Sequence, residues 1–145
     1  MNEPVDIVQE QGFRFANRFG AGLPPVYADE APPLGTGTGP TPVQLLGAAV
    51  GNCLAASLLF ALRKFGQAPE PLRARVEATV GRNEQKRLRV QRLKVRLELG
   101  VPAGGIEHLD RALAQFEDFC IVTGSVRDAI AVDVEVYDST GKRLK

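Results

Sequence analysis

Residues 41 to 66, TPVQLLGAAVGNCLAASLLFALRKFG, constrain this chain more than any other stretch. No charged residue lies between Val43 and Leu62, and the only strongly polar side chains there are Gln44, Asn52 and Ser57. Thr41 can cap a helix by accepting a hydrogen bond from an early backbone N–H. Pro42 suits the first helical position, where a missing N–H costs nothing. Arg63 and Lys64 complement the negative end of the helix dipole, and Gly66 supplies a left-handed stop. A helix apolar on every side must be buried. Its length would also allow it to cross a membrane. Gly47, Gly51, Asn52, Ser57 and five alanines dilute its hydrophobicity, however, and the remaining chain reads as a globular fold. A buried core helix is therefore expected, with no membrane partner. Near its middle sits Cys53, one of two cysteines.

At 145 residues the chain has the size of one domain, expected to run from 1 to 145. A net charge of +1 gives no electrostatic case for binding nucleic acid or an anionic membrane. The opening MNEPVDIVQEQ lacks the basic-then-apolar pattern of a secretion signal, so a cytoplasmic location is expected. In a reducing compartment, two cysteines are either small buried hydrophobes or a redox pair. One His and two Cys fall short of a four-ligand zinc site, and no metal or other cofactor is expected.

Periodicity supplies the other elements. In FRFANRF, Phe13, Phe15 and Phe19 take odd positions, which predicts a strand pairing back with residues 25 to 28 as a hairpin. Residues 29 to 40, DEAPPLGTGTGP, read as loop. The GTGTG run precedes a helix, as phosphate cradles do, but lacks the partners of a P-loop or a dinucleotide fingerprint. Leu72, Ala74, Val76, Ala78 and Val80 alternate with polar residues and predict a half-buried strand. A second strand spans roughly 87 to 99. Its apolar set moves from even positions (Leu88, Val90) to odd ones (Leu93, Val95, Leu97, Leu99), which predicts a bulge near Gln91 and Arg92. Ile106, Leu109, Leu113 and Phe116 recur at helical spacing, predicting a helix over about 105 to 118 with His108 off its apolar stripe. Cys120 opens a short helix, and Val132, Val134 and Val136 form a last strand. The order predicts an α+β fold with antiparallel sheets. A helix apolar all round is too much for one small sheet to cover, so a dimer burying its other side is expected.

GPTPVQLLGAAVGNCLA, followed much later by FCIVTGSV and AVDVEV, resembles the OsmC/Ohr family of thiol-dependent peroxidases over almost the whole chain. The resemblance implies an OsmC-like fold, with antiparallel sheets on a long central helix in an intertwined homodimer whose active sites lie at the subunit interface. It implies that Cys53 is the peroxidatic thiol, attacking the O–O bond of an organic hydroperoxide or hydrogen peroxide. Cys120 is then the resolving thiol, and a dithiol reductant resets the pair.

The family activates its first thiol with an arginine from the N-terminal hairpin, held by a glutamate ten residues before the cysteine. Val43 occupies that position here, and Gln44 beside it is uncharged. A thiol at mid-helix gains little from the dipole and depends on a cation. Arg18 is the candidate and Arg14 the runner-up. Asn52 either serves the site or bonds a neighbouring backbone group. The loss of the glutamate favours an alternative on the same scaffold: a non-catalytic dimer holding a small apolar ligand at the subunit interface. A structural dimer with inert thiols is the third reading.

Overall fold

The computed structural model describes residues 2–145, and the chain divides into two compact units, 1–46 and 47–145. In the first, β1 (Asp6–Gln11), β2 (Arg14–Arg18) and β3 (Val26–Ala28) form an antiparallel sheet in that order. The predicted pairing of residues 25 to 28 with the Phe-rich strand is present, with Phe15 opposite Ala28. β1 carries no strand signature in its sequence: DIVQEQ does not alternate, and Ile7 and Val8 are both exposed. The phenylalanine alternation does not mark the buried face either. Phe13 and Phe19 are exposed, while Ala16 and Asn17 are buried. Asn17 tolerates this because its amide donates to the carbonyls of Val26, at 3.0 Å, and Phe15, at 3.3 Å.

Residues 29 to 40 wrap around one carboxylate. Asp29 is 2% exposed. It accepts from the backbone N–H groups of Glu30, Thr36 and Thr38 and from the hydroxyls of Thr36 and Thr38. The Thr36 hydroxyl, helped by the backbone donors and opposed by burial, holds the Asp29 carboxyl far below the usual range. The loop does cradle an anion, and that anion is its own aspartate. A Cβ on Gly39 would lie 2.1 Å from the Tyr27 carbonyl oxygen, and one on Gly35 2.3 Å from that of Glu30, so this wrapping needs glycine at both positions.

α1 spans Pro42–Lys64, as its caps predict. The Gln44 N–H donates to the Thr41 hydroxyl at 3.3 Å, and the Thr41 N–H donates to the Gln44 side-chain oxygen at 2.8 Å. This reciprocal cap satisfies two orphan donors and gives Gln44 a structural task.

In the second unit, β4 (Arg73–Arg82), β5 (Leu88–Glu98) and β6 (Ala131–Tyr137) make a sheet with β5 in the centre. The apolar face of β5 runs through Leu93, Val95 and Leu97, all fully buried, and Leu99 follows just beyond the strand. It packs with Val50, Leu54, Leu58 and Leu62 of α1 into one core. A Cβ on Gly51 would meet Val76 Cγ2 at 2.6 Å, so this helix turn lies unusually close to β4. Glycine there serves the packing as well as diluting the hydrophobicity. The predicted bulge is present: Thr79 faces Arg92 and Val80 faces Val90, leaving Gln91 as the extra residue.

The α+β class holds, with a correction to one pairing. β4 and β5 are antiparallel, but β5 and β6 run parallel. Between them the chain forms a crossover containing a 3-10 turn (Ala103–Gly105), α2 (Leu109–Gln115), a second 3-10 turn (Phe116–Phe119) and α3 (Ile121–Val126). A link of that length allows parallel pairing, which a hairpin does not. The helix predicted from 105 starts later because His108 is left-handed, at φ 56° and ψ 23°; it is exposed, with its ring 5.0 Å from that of Phe65. Ile106, Leu109, Leu113 and Phe116 all join the core as their spacing predicts.

Two expected burials are incomplete in the single chain. Ala74, Ala78 and Val80 on β4 are exposed. The helix α1 is long and apolar enough to cross a membrane by length and composition, yet here it is a core helix buried on one side, through Gly47, Val50, Gly51, Leu54, Ser57, Leu58, Ala61 and Leu62. Ala48, Ala49, Asn52, Ala56 and Phe60 are exposed.

Candidate active site

Cys53 lies near the middle of α1 and is half-buried, with its side chain against the core. Cys120 is 2% exposed and forms the N-cap of α3. Its backbone N–H donates to the Glu117 carbonyl at 3.0 Å, closing the second 3-10 turn, and its own carbonyl accepts from the Gly124 N–H at 2.9 Å. Both cysteines are free thiols. Although 67 positions apart in sequence, the two cysteines share one core, Cys120 within it and Cys53 packed against it.

That shared setting affects acidity. Burial pushes the Cys120 thiol above its ordinary pKa, and the neighbouring Cys53 thiol adds to the push. Thr123 pulls the other way. The Cys120 S–H donates to the Thr123 hydroxyl oxygen at 3.0 Å, and the Thr123 N–H donates to the sulfur at 3.4 Å. The sequence pattern does not mark Thr123 as a site residue. Its only signal is positional: a residue three positions after an N-cap offers its backbone N–H to the capping atom.

Apolar side chains surround the pair. Phe60 is two turns beyond Cys53 on the same side of α1. Its ring meets that of Phe119 edge-on at 6.5 Å. Phe60, Phe119 and Ile121 are 61%, 56% and 81% exposed.

Glu117 anchors the Cys120 turn from the other side. Its carboxylate pairs with Arg127 and, at 2.5 Å, with Lys145. Burial would raise its pKa, but the two cations outweigh burial and hold it below the ordinary value. Asn52 donates to the Ala48 carbonyl at 2.8 Å, so of its two expected roles it takes the backbone one.

The two candidate arginines belong to the N-terminal unit and differ in their commitments there. Arg14 pairs with Glu10 at 3.3 Å, donates to the Thr38 hydroxyl at 3.1 Å and lies over the Tyr27 ring at 4.2 Å. Arg18 is exposed at the end of β2, in register with Asp6, and has no ion pair among the described residues. Among the described residues, no group of three or more His, Cys, Asp or Glu could hold a metal ion.

A family model described as OsmC-like protein matches residues 35–135, most of the chain and both cysteines. The chain belongs to the OsmC-like family. The fold of this OsmC-like protein is similar to several solved structures. One is an OsmC-like protein of unknown function from Vibrio cholerae, with a TM-score of 0.79 at 15% identity, covering 94% of this chain and 99% of that one. Another is an organic hydroperoxide resistance protein OsmC and predicted redox protein from Legionella pneumophila, with a TM-score of 0.69 at 16% identity, covering 94% and 96%. A third is the organic hydroperoxide resistance protein OhrB of Bacillus subtilis, with a TM-score of 0.64 at 15% identity, covering 92% and 97%. At these identities the likeness concerns the fold. No curated protein matches this OsmC-like chain in sequence.

Proposed function

We propose that this OsmC-like protein is a cysteine-based peroxidase for organic hydroperoxides, working in a reducing compartment such as the cytoplasm. The observation that carries the reading is that two free thiols, one half-buried and one buried, come from elements far apart in the chain to the same core. In the first step the Cys53 thiolate attacks the distal peroxide oxygen. An S–O bond forms and the O–O bond breaks. The alcohol departs as an alkoxide that takes up a proton, leaving a sulfenic acid. Cys120 then attacks the Cys53 sulfur, an S–S bond forms, and the hydroxyl leaves as water. A dithiol reductant returns both thiols.

Three features support an organic substrate and a paired assembly. Phe60, on the Cys53 side of α1, meets Phe119, which with Ile121 flanks Cys120 in sequence, and all three are exposed; this apolar surface favours an alkyl or aryl peroxide over hydrogen peroxide. Two of the similar structures carry the description organic hydroperoxide resistance protein. The exposed side of α1 gives a second copy of this chain an apolar surface to cover. Arg18 is assigned as the activating cation in preference to Arg14, whose guanidinium already serves Glu10, Thr38 and Tyr27.

One observation favours the second reading, a dimer that holds a small apolar ligand without turnover. Val43 provides no carboxylate to orient an arginine, and Gln44 is occupied in the helix cap. The deciding experiment uses Cys120→Ser, which isolates Cys53. Trapping a sulfenic acid at Cys53 under excess organic hydroperoxide, with loss of trapping in Arg18→Met, supports the peroxidase. A failure to trap any, together with a co-purifying ligand in native mass spectrometry, supports the binding protein.

A further inference from the structure

Thr123 is 1% exposed, and among the described residues the one partner of its hydroxyl is the sulfur of Cys120. The direction of that bond matters. With Cys120 protonated, the S–H donates to the Thr123 oxygen, and the hydroxyl proton of Thr123 has no acceptor. Once Cys120 loses its proton the bond cannot persist in that sense. A hydroxyl is both donor and acceptor and rotates about its C–O bond, so it can turn its proton onto the sulfur. The Thr123 N–H already points at the same atom. The thiolate therefore gains two donors from a single residue, whereas the thiol has one. Hydrogen bonds to an ionised partner are the stronger kind.

Nothing else in residues 47–145 performs this task. Of the groups acting on the Cys120 sulfur, burial and Cys53 both oppose ionisation and only Thr123 favours it. The Glu117 carboxylate is directed to Arg127 and Lys145, and Glu117 meets Cys120 through its carbonyl. Asp118, two residues away, is exposed. The α3 helix has only 6 residues, too short for its dipole to carry the argument.

We propose that Thr123 is a positioning residue for the second step, its hydroxyl switching from acceptor to donor to hold the Cys120 thiolate against the oxidised Cys53. This rests on the peroxidase reading for the identity of the step. In that step the Cys120 sulfur bonds to the Cys53 sulfur and the Cys53 S–O bond breaks. Hydroxide leaves and combines with the proton that Cys120 gave up, releasing water. Cys120 is oxidised and the sulfenic sulfur is reduced. Thr123 neither gains nor loses a proton overall.

The test separates acidity from turnover. In a Cys53→Ala protein, Cys120 is the one remaining thiol, and the ultraviolet absorbance of its thiolate is followed against pH. Thr123→Val keeps the shape and removes the hydroxyl. It should raise the titration midpoint by about one unit. Thr123→Ser should restore the midpoint; if the valine variant does not fold, Thr123→Ala takes its place. In the full chain with both cysteines, one equivalent of cumene hydroperoxide should oxidise Cys53 at an unchanged rate in Thr123→Val. Formation of the 53–120 disulfide should slow about tenfold. An unchanged midpoint in the valine or alanine variant, or a serine variant that behaves like valine, overturns the proposal. Absence of any Cys53 sulfenic acid defeats the peroxidase reading alone, because the titration still decides whether Thr123 stabilises the thiolate.

Discussion

Asp29 and Cys120 are both buried and can each carry a negative charge, and they are provided for very differently. Asp29 receives five donors, three from backbone N–H groups and two from hydroxyls. Cys120 accepts from one backbone N–H, and its own S–H donates a hydrogen bond to the Thr123 hydroxyl oxygen. The first is an anion at every ordinary pH and has no capacity left for chemistry. The second is held neutral by burial and by Cys53, with one neighbour ready to stabilise its charge. Saturation with donors fixes Asp29 as a structural anion, whereas Cys120 stays a thiol until a donor turns to its thiolate.

The largest effect that tests this contrast is on the fold. Asp29→Ala strips one acceptor from five donors and should release the 29–40 loop. Amide exchange at Thr36 and Thr38 should accelerate by orders of magnitude, and thermal stability should fall substantially. Cys120→Ser should lower the melting temperature by no more than a few degrees, on the order of the usual single-site effect. Equal losses in the two variants would break the comparison.

Next comes pH. Asp138 resembles Asp29: the Thr140 hydroxyl, the Ala103 N–H and further backbone donors hold its pKa down at about 2. Its folded value lies below the unfolded one, about 3.9. Its contribution is therefore present above that unfolded value and disappears as pH falls towards 2. Cys120 has the opposite sign. Its folded pKa is raised, so its contribution is complete below about 8.5 and is lost as pH rises through the folded value. Denaturant unfolding across pH should show Asp138→Asn flattening the acid limb and Cys120→Ser flattening the alkaline one. A variant acting on the other limb would contradict the assignment.

A smaller effect concerns the support of the Cys120 turn. Glu117→Gln keeps the shape but weakens the pairs to Arg127 and Lys145, both partly exposed. A loss of about 1 kcal/mol is expected by chemical denaturation, shrinking in high salt. Smallest of all is Asn52→Ala. It removes only a bond to the Ala48 carbonyl on an exposed turn and should change stability by a few tenths of a kcal/mol or less. Peroxide reduction should be unaffected, although this residue adjoins Cys53. A clear loss of activity would mean that Asn52 serves the site after all.

The sequence is legible where an element's pattern depends on its own residues. Thr41, Pro42, Arg63 and Gly66 delimit α1, and the phase change at Gln91 locates a bulge. It is less legible where a partner decides. The Phe13, Phe15, Phe19 alternation promised an apolar face, but the buried positions went to Ala16 and Asn17, because local carbonyls could satisfy an amide. β6 turned out parallel to β5, which depends on the length of the crossover and leaves no mark in the strand itself. At the candidate site, the two cysteines could be named from the sequence. Thr123 could not, because its importance comes from which way a hydroxyl faces, and Gln44 became intelligible only once its bond to Thr41 was seen.

The segment between the two cysteines contains the whole β4–β5 hairpin and α2. A bond between Cys53 and Cys120 would tie that segment into a ring, with β6 and everything before Cys53 outside it. A ring of this size removes about 4 kcal/mol of freedom from the unfolded chain on a chain-entropy estimate. Each oxidation would then also be a topological event. The oxidised molecule would resist unfolding and proteolysis until a dithiol cut the ring, so a cell short of reductant would accumulate the protein in its longest-lived form.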